Sequence, residues 1–198
     1  TKSVSTESVQ SLRDLKIIAR DETRGFQWPT LFFSLFVISM TLVSTSLAVA
    51  GYIPLWLGMT INAFFMTQGY TAVHECAHRS MNGKHAKLRW INDVFGVAGF
   101  SFTLHSFTVH CHVHRLHHAH TNDPFRDTDA WVSDAPNLFS AILRSFAFYF
   151  YTNYHIFKIY PLVSDKKRFV IRAILETAIP IALAIFLASI GFWREVLV

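Results

Sequence analysis

The sequence predicts an all-α, polytopic membrane protein with a transmembrane helical hairpin, cytoplasmic and interfacial helices after it, and a third span near the C-terminus. Of the 198 residues, 52% are hydrophobic and only 16% are charged, against about 25% charged in ordinary soluble domains. Residues 25–73 contain no Asp, Glu, Lys or Arg. Lys and Arg flank the apolar stretches, which indicates a membrane partner and no nucleic acid.

Residues 1–24 are predicted to form a polar tail that leads into an interfacial helix. The first ten residues are rich in Ser and Thr, and Leu and Ile then lie beside Arg and Lys, as in helices on a membrane surface. No short apolar core with a cleavage site follows the basic stretch, which argues against a secretory signal.

A hairpin of two membrane helices is predicted over residues 28–73. The uncharged stretch is 49 residues long, whereas one span needs only about 20. Gly51 and Pro54 bracket its turn-like point, so we predict helices over residues 28–50 and 54–73.

The basic residues predict how the hairpin is oriented. Five Lys or Arg precede it, and twelve more lie between Glu75 and Arg172. Because Lys and Arg accumulate in cytoplasmic segments, both ends of the hairpin and the His-rich region after it are expected on the cytoplasmic side. Cys76 and Cys111 lie in that region and are predicted to be free thiols, since cytosolic disulfides are rare.

The rest of the chain is predicted to contain a cytoplasmic and interfacial region over residues 74–172 and a third span over residues 173–193. The apolar pieces at 94–104 and 138–150 are too short to cross a bilayer, so they are expected to lie at the interface. Pro180 is expected to kink the third span. We interpret all these segments as one domain.

Five of the eleven histidines have the spacing of metal ligands. His74 and His78 are one helical turn apart, so both imidazoles leave the same face of a helix. That spacing alone often arises by chance. His114, His117 and His118 are offset by three and four residues and also share a face, which is a more specific pattern. We predict that these five imidazoles converge from two helices.

The chemistry of these side chains favours a transition metal. Neutral imidazole suits iron, zinc, copper or nickel, whereas magnesium and calcium prefer oxygen. Several neutral imidazoles are hard to satisfy by mutual hydrogen bonds alone, and a bound metal removes that difficulty. Four further histidines are expected to be ordinary interfacial or core side chains: His85, His105, His120 and His155.

The first pair also fits the His-Glu-x-x-His pattern of zinc metalloproteases, in which the Glu, here Glu75, is the general base. Such a site needs one further protein ligand and an open position for water, so five imidazoles would be surplus. On a helix Glu75 lies about 100° from His74, where it can support a ligand or face solvent instead. A zinc protease stays the alternative from another class.

The pattern His74-x-x-x-His78, followed 36 residues later by His114-x-x-His117-His118, resembles the first two histidine boxes of the integral-membrane fatty acid desaturase and hydroxylase superfamily. The resemblance implies two non-haem iron ions held by imidazoles on the cytoplasmic side. It also implies an O2-dependent oxidoreductase that acts on C–H bonds of a lipid or other long hydrophobic substrate, most simply a fatty acyl desaturase or hydroxylase. Electrons would come from a ferredoxin-like or small haem protein.

The run Asn122-Asp123-Pro124-x-x-Asp127-x-Asp129 is similar both to acyl-lipid desaturases and to carotenoid ring hydroxylases, and it favours the latter branch. A carotenoid ring hydroxylase is therefore the alternative within the superfamily. A non-catalytic membrane subunit that keeps the fold without a complete metal site is a further alternative.

The sequence departs from the superfamily in one respect. Members carry a third histidine box, and no histidine follows His155 here. Two irons with an open site for oxygen need about eight ligands or more, and five or six are visible. We therefore expect that the 198 residues do not hold a complete di-iron site and that they are a piece of a longer protein.

Four more residues are candidates to support the metal ligands or to extend them. His110 lies on the same helical stripe as His114, so it can be a further ligand. Asp123, Asp127 and Asp129 can accept hydrogen bonds from the far nitrogen of a ligating imidazole. Helix capping is the competing interpretation, above all for Asp123, which precedes a proline.

Two basic clusters can attract an acidic electron donor, because complementary charge speeds encounter. Anionic lipid headgroups are the competing partner for the same charges. The clusters comprise Lys84, His85, Lys87 and Arg89, and Lys166, Lys167 and Arg168.

Overall fold

The computed structural model describes residues 25–123, 126–127, 129–154 and 163–198. The predicted N-terminal tail and His155 lie outside these residues. Within them every regular element is helical and no strand occurs, which confirms the all-α prediction. The α-helices are α1 (Trp28–Val49), α2 (Leu55–Ala77), α3 (Arg89–Ser101), α4 (Phe107–His120), α5 (Ala130–Ser133), α6 (Leu138–Tyr154), α7 (Lys166–Ser189) and α8 (Trp193–Leu197).

Helices α1 and α2 pack against each other as the predicted hairpin, and their interface is made of small and polar side chains. The buried residues of α1 recur every three or four positions, and large apolar side chains such as Phe32 and Phe36 are exposed. Small residues inside and large apolar residues outside are typical of helices surrounded by lipid. The buried residues of α1 are Ser34, Val37, Thr41, Ser44 and Ala48.

Two glycines on α2 and α3 permit close helix packing. A Cβ atom at Gly58 would lie 2.6 Å from Cβ of Ala48 on α1, and one at Gly99 would lie 2.5 Å from Cγ2 of Val73. Both separations are too short for real contacts, so a larger residue at either position would push the helices apart. The second contact brings α3 against the inner end of α2.

Helices α1 and α7 are each long and apolar enough to cross a membrane. The predicted third span therefore corresponds to a helix that begins seven residues before residue 173, at Lys166, and ends at Ser189. Helix α2 also has sufficient length, but Asn62, Gln68 and several threonines make it less apolar. Its passage through the membrane, and the sidedness of the chain, stay predictions.

The apolar core lies beneath the hairpin, where α2, α3 and α4 meet. Its buried members are Val73, Cys76, Met81, Phe100, Phe107 and Cys111. Both cysteines are free, as predicted. A second cluster joins α4 to α7 through Val109, Val113, Val163 and Phe169. Helix α4 is therefore fixed between the end of α2 on one side and the start of α7 on the other.

Candidate metal centre

Four of the five predicted ligands come together in the structure. His74 lies on the last turn of α2, His78 is the C-cap residue of the same helix, and His114 and His118 lie on α4. One ligand atom from each side chain lies within 4.8 Å of the others. We call these four residues the four-histidine cluster. His114 is buried, His74 is half-buried, and the other two are exposed, so the cluster opens toward the surface on one side.

The nearest nitrogens of the cluster face each other directly. Nε2 of His114 lies 2.9 Å from Nε2 of His78 and 3.0 Å from Nε2 of His118. Two nitrogens bound at right angles to one ion, each about 2.1 Å from it, are also about 3 Å apart. Without an ion, His114 needs a proton between each pair of facing nitrogens. The spacing and the all-imidazole donor set therefore fit a shared transition-metal ion.

The electrostatics of the cluster keep its central side chain neutral. Burial, followed by the neighbouring imidazoles, lowers the pKa of His114 to about 4. A neutral imidazole is the form that binds a metal. At neutral pH this residue consequently needs to release no proton before it accepts an ion.

Glu75 lies beside the four-histidine cluster and contacts it from the outside. One carboxylate oxygen lies 3.3 Å from Nδ1 of His74, and the other accepts a hydrogen bond of 2.6 Å from Ser80 Oγ. A carboxylate at Nδ1 favours the tautomer with its lone pair on Nε2. The supporting role of Glu75 stays a prediction.

His117, the fifth predicted ligand, lies apart from the four-histidine cluster. Its Nδ1 donates to Asp127 Oδ1 at 2.8 Å and lies 3.6 Å from Asp129 Oδ2, and the three residues form a separate group. The His117 and His118 rings are still neighbours, with centroids 5.4 Å apart. A carboxylate at Nδ1 favours the His117 tautomer that has its lone pair on Nε2.

The Asp127 carboxylate is the fixed point of this second group. Backbone N–H groups of Asn122 and Asp129 donate to it, each at 2.8 Å. Burial opposes its ionisation, but these bonds and that from His117 outweigh the effect of burial and lower the pKa of Asp127. Asp123 accepts from the backbone N–H of Arg126 at 3.1 Å, which is a turn contact.

His110 extends the histidine stripe inward. Its ring stacks on His114 with centroids 5.2 Å apart and meets Phe100 edge-on at 4.8 Å. Burial lowers the pKa of His110 to about 3. Within the described residues its buried Nε2 has no hydrogen-bond partner, although it is not a member of the four-histidine cluster.

A cavity of about 260 Å³ lies between α2, α3 and α4 and reaches His110 and His114. Its walls are mostly apolar. Besides the two histidines, the polar residues that line it are Tyr70, Thr103, His105, Ser106 and Asp129. The apolar residues that line it are Met66, Val73, Phe100, Val109 and Val113. The cluster therefore adjoins a space that can receive an apolar group.

Sequence reasoning missed the cavity and the burial of the Glu176 side chain. The cavity depends on the packing of three helices, which no local pattern reveals. The sequence held one indication that Glu176 is unusual, because an acidic residue near the start of a predicted membrane span is rare. Among the histidines expected to be ordinary, His105 bonds locally to Thr103 and His85 is exposed.

Comparison with known proteins shows the family of the chain. The sequence pattern of the family described as fatty acid desaturase matches residues 50–198. An sn-1 oleoyl-lipid 12-desaturase from Synechocystis sp. is 33% identical over 94 residues, covering 46% of this chain and 24% of the relative. The enzyme of the same name from Anabaena variabilis is 29% identical over 123 residues, covering 61% and 32%. The chain thus spans about a quarter to a third of these relatives. No solved structure matches it.

Proposed function

The chain belongs to the fatty acid desaturase family, and we propose that it carries part of the metal site of a membrane-bound, O2-dependent oxidoreductase acting on C–H bonds of a long hydrophobic substrate. The observation that carries this proposal is the four-histidine cluster, with Nε2 separations of 2.9 and 3.0 Å beside an apolar cavity.

The cofactor we propose is a pair of non-haem irons. The residues that would hold it are those of the four-histidine cluster together with Nε2 of His117, and Asp127 and Glu75 would fix the tautomers of two ligands. When bound, the irons supply O2 activation and the oxidation of the C–H bond. The protein binds the substrate chain, keeps His114 neutral and limits the access of water on the cavity side.

For the substrate we propose a fatty acyl chain of a lipid and, for the reaction, its desaturation. The cavity walls are apolar, as an acyl chain requires, and both relatives reported above are named as oleoyl-lipid desaturases. Hydroxylation, including that of a carotenoid ring, is the alternative, because the Asn122–Asp129 run is also similar to carotenoid ring hydroxylases.

The proposed setting is an integral, multi-pass membrane protein with the histidines on the cytoplasmic side. Two apolar helices and membership of the family support the membrane location. An electron donor of ferredoxin-like or small haem type would approach the open side of the cluster. The exposed basic residues between the two ligand helices, Lys84, Lys87 and Arg89, supply a charge complementary to an acidic donor.

Metal analysis tests this function. The chain would be purified from membranes of cells supplied with iron and zinc, and both metals measured by mass spectrometry. We expect bound iron, lost in the His78→Ala/His118→Ala double variant and kept in the matched control His85→Ala. Bound zinc, with peptide hydrolysis that Glu75→Gln abolishes, would establish the protease instead. A folded chain with no metal would support the non-catalytic subunit.

A further inference from the structure

Glu176 is a buried carboxylate on α7, outside the metal centre described above. Only 9% of the residue is exposed. Its Oε2 atom accepts hydrogen bonds from Ser106 Oγ at 2.8 Å and from the Thr108 backbone N–H at 2.7 Å. Its Oε1 atom accepts from Thr108 Oγ1 at 2.7 Å. All three donors belong to the first turn of α4 or to its N-cap.

These bonds place a negative charge at the N-terminus of the helix that carries His114 and His118. The first N–H groups of a helix have no partner within the helix, and the helix dipole favours a negative charge there. Ser106 already caps α4 through a bond of 3.2 Å from the Val109 N–H to its Oγ. Glu176 therefore adds a second cap, and it comes from a different helix.

The same carboxylate is connected to the end of α2. Arg172, one turn before Glu176, contacts Glu176 Oε1 at 3.2 Å and Asp93 on α3 at 3.3 Å. The other oxygen of Asp93 lies 3.0 Å from Arg79, the residue that follows His78. A continuous chain of ionic contacts thus links the residue after the α2 ligands to the N-terminus of the α4 ligand helix.

Charge burial of this kind contributes little to stability by itself. Well-packed apolar residues in place of a buried ion pair are often as stabilising, whereas the paired charges specify one arrangement. A shift of α4 by one residue would move His114 by about 1.5 Å along the axis and turn it by about 100°. Such a shift would destroy the Nε2 contacts of the four-histidine cluster.

We propose that Glu176 is a positioning residue that fixes the height and rotation of α4, so that His114 and His118 meet His74 and His78 at metal-binding distance. The inference rests on the proposed function in one respect, that the cluster binds a metal.

Cobalt(II) titration of the full 198-residue chain in detergent tests this role, because the visible absorption of cobalt reports both affinity and coordination geometry. Glu176→Ala should weaken cobalt binding by about tenfold or more and change the visible spectrum while helicity is retained. Glu176→Gln keeps one acceptor oxygen for the α4 cap but loses the charge facing Arg172. Its affinity for cobalt should therefore lie between that of the unmodified chain and that of Glu176→Ala.

The matched control is Asp165→Asn. Asp165 also caps a helix N-terminus, accepting from the Arg168 N–H at 3.0 Å, but it lies outside the ionic chain. It should leave the cobalt spectrum unchanged. An unaltered spectrum and affinity in Glu176→Ala, or equal losses in Asp165→Asn, would overturn the proposal.

A second readout separates this inference from the proposed function. Cys76 on α2 and Cys111 on α4 are buried, and their alkylation rates need no metal. If the unmodified chain binds no cobalt, the metal site is refuted. The alkylation rates of the two thiols then decide whether Glu176 positions α4. Faster alkylation of Cys111 in Glu176→Ala, but not in Asp165→Asn, supports it, and equal rates in all three proteins overturn it.

Discussion

The four-histidine cluster and the His117 group lie side by side but satisfy their nitrogens differently. In the cluster, imidazole faces imidazole, with His114 between two others at 2.9 and 3.0 Å. In the His117 group, imidazole faces carboxylate, and Asp127 also receives two backbone N–H groups at 2.8 Å. In the His117 group the partner of the imidazole is an anion that can hold its proton, whereas in the cluster the partners are other imidazoles.

This difference indicates that the two groups have different roles in metal binding. Imidazole nitrogens that face one another at 2.9 and 3.0 Å suit a shared transition-metal ion, so we infer that the cluster binds the ion directly. A carboxylate that holds Nδ1 fixes the tautomer and the ring orientation of a ligand. We therefore expect mutations in the cluster to abolish metal binding and mutations in the His117 group to weaken it.

The largest effect is expected from His114→Ala. This substitution removes the nitrogen that contacts both His78 and His118, so metal affinity should fall by more than about a hundredfold, beyond the usual effect of an outer partner. Isothermal titration with iron(II) or cobalt(II) under anaerobic conditions measures it. His120→Ala, on the same helix but outside the cluster, is the control. Comparable affinity in both variants would contradict the central position of His114.

An intermediate effect is expected from Asp127→Asn. The amide keeps the size of the side chain but loses the charge that holds the His117 proton, and metal affinity should fall about 10- to 100-fold. Asp123→Asn is the matched control, because Asp123 accepts from the backbone N–H of Arg126 in a turn and is not a member of the His117 group. If the two variants bind metal equally well, His117 is not a ligand supported by Asp127.

Much of this arrangement could be predicted from local sequence patterns. The uncharged stretch predicted the helical hairpin. One-turn spacings predicted that His74 and His78 share one helix face and that His114 and His118 share another. Such spacings act within a single helix, where 3.6 residues per turn determine which side chains are neighbours. The sequence also placed Asp127 and Asp129 within reach of an imidazole.

What could not be predicted depends on contacts between distant segments. His117 has the same periodicity as His114 and His118, yet its ring turns to Asp127, ten residues away, because the loop after α4 folds back. Glu176 lies 68 residues from Thr108, and no periodicity joins them. Similarly, the extent of α7 is set by its Asp165 cap, which lies outside the apolar run that suggested the span.

The smallest effect is expected from Glu75→Gln. Glu75 is the carboxylate beside the four-histidine cluster, so this variant tests whether it has the same role as Asp127 in the His117 group. Its contact with His74 is longer, at 3.3 Å, and the side chain is more exposed than Asp127, 39% against 2%. Exposed ionic contacts contribute only about 0–1 kcal/mol, so metal affinity should change less than about fivefold. Iron titration measures the affinity, and a peptide-hydrolysis assay accompanies it.

Two outcomes would contradict this prediction. A loss of metal affinity as large as that in Asp127→Asn would place both carboxylates in the same role. Loss of a hydrolytic activity with intact metal binding would make Glu75 a general base and the site a zinc protease.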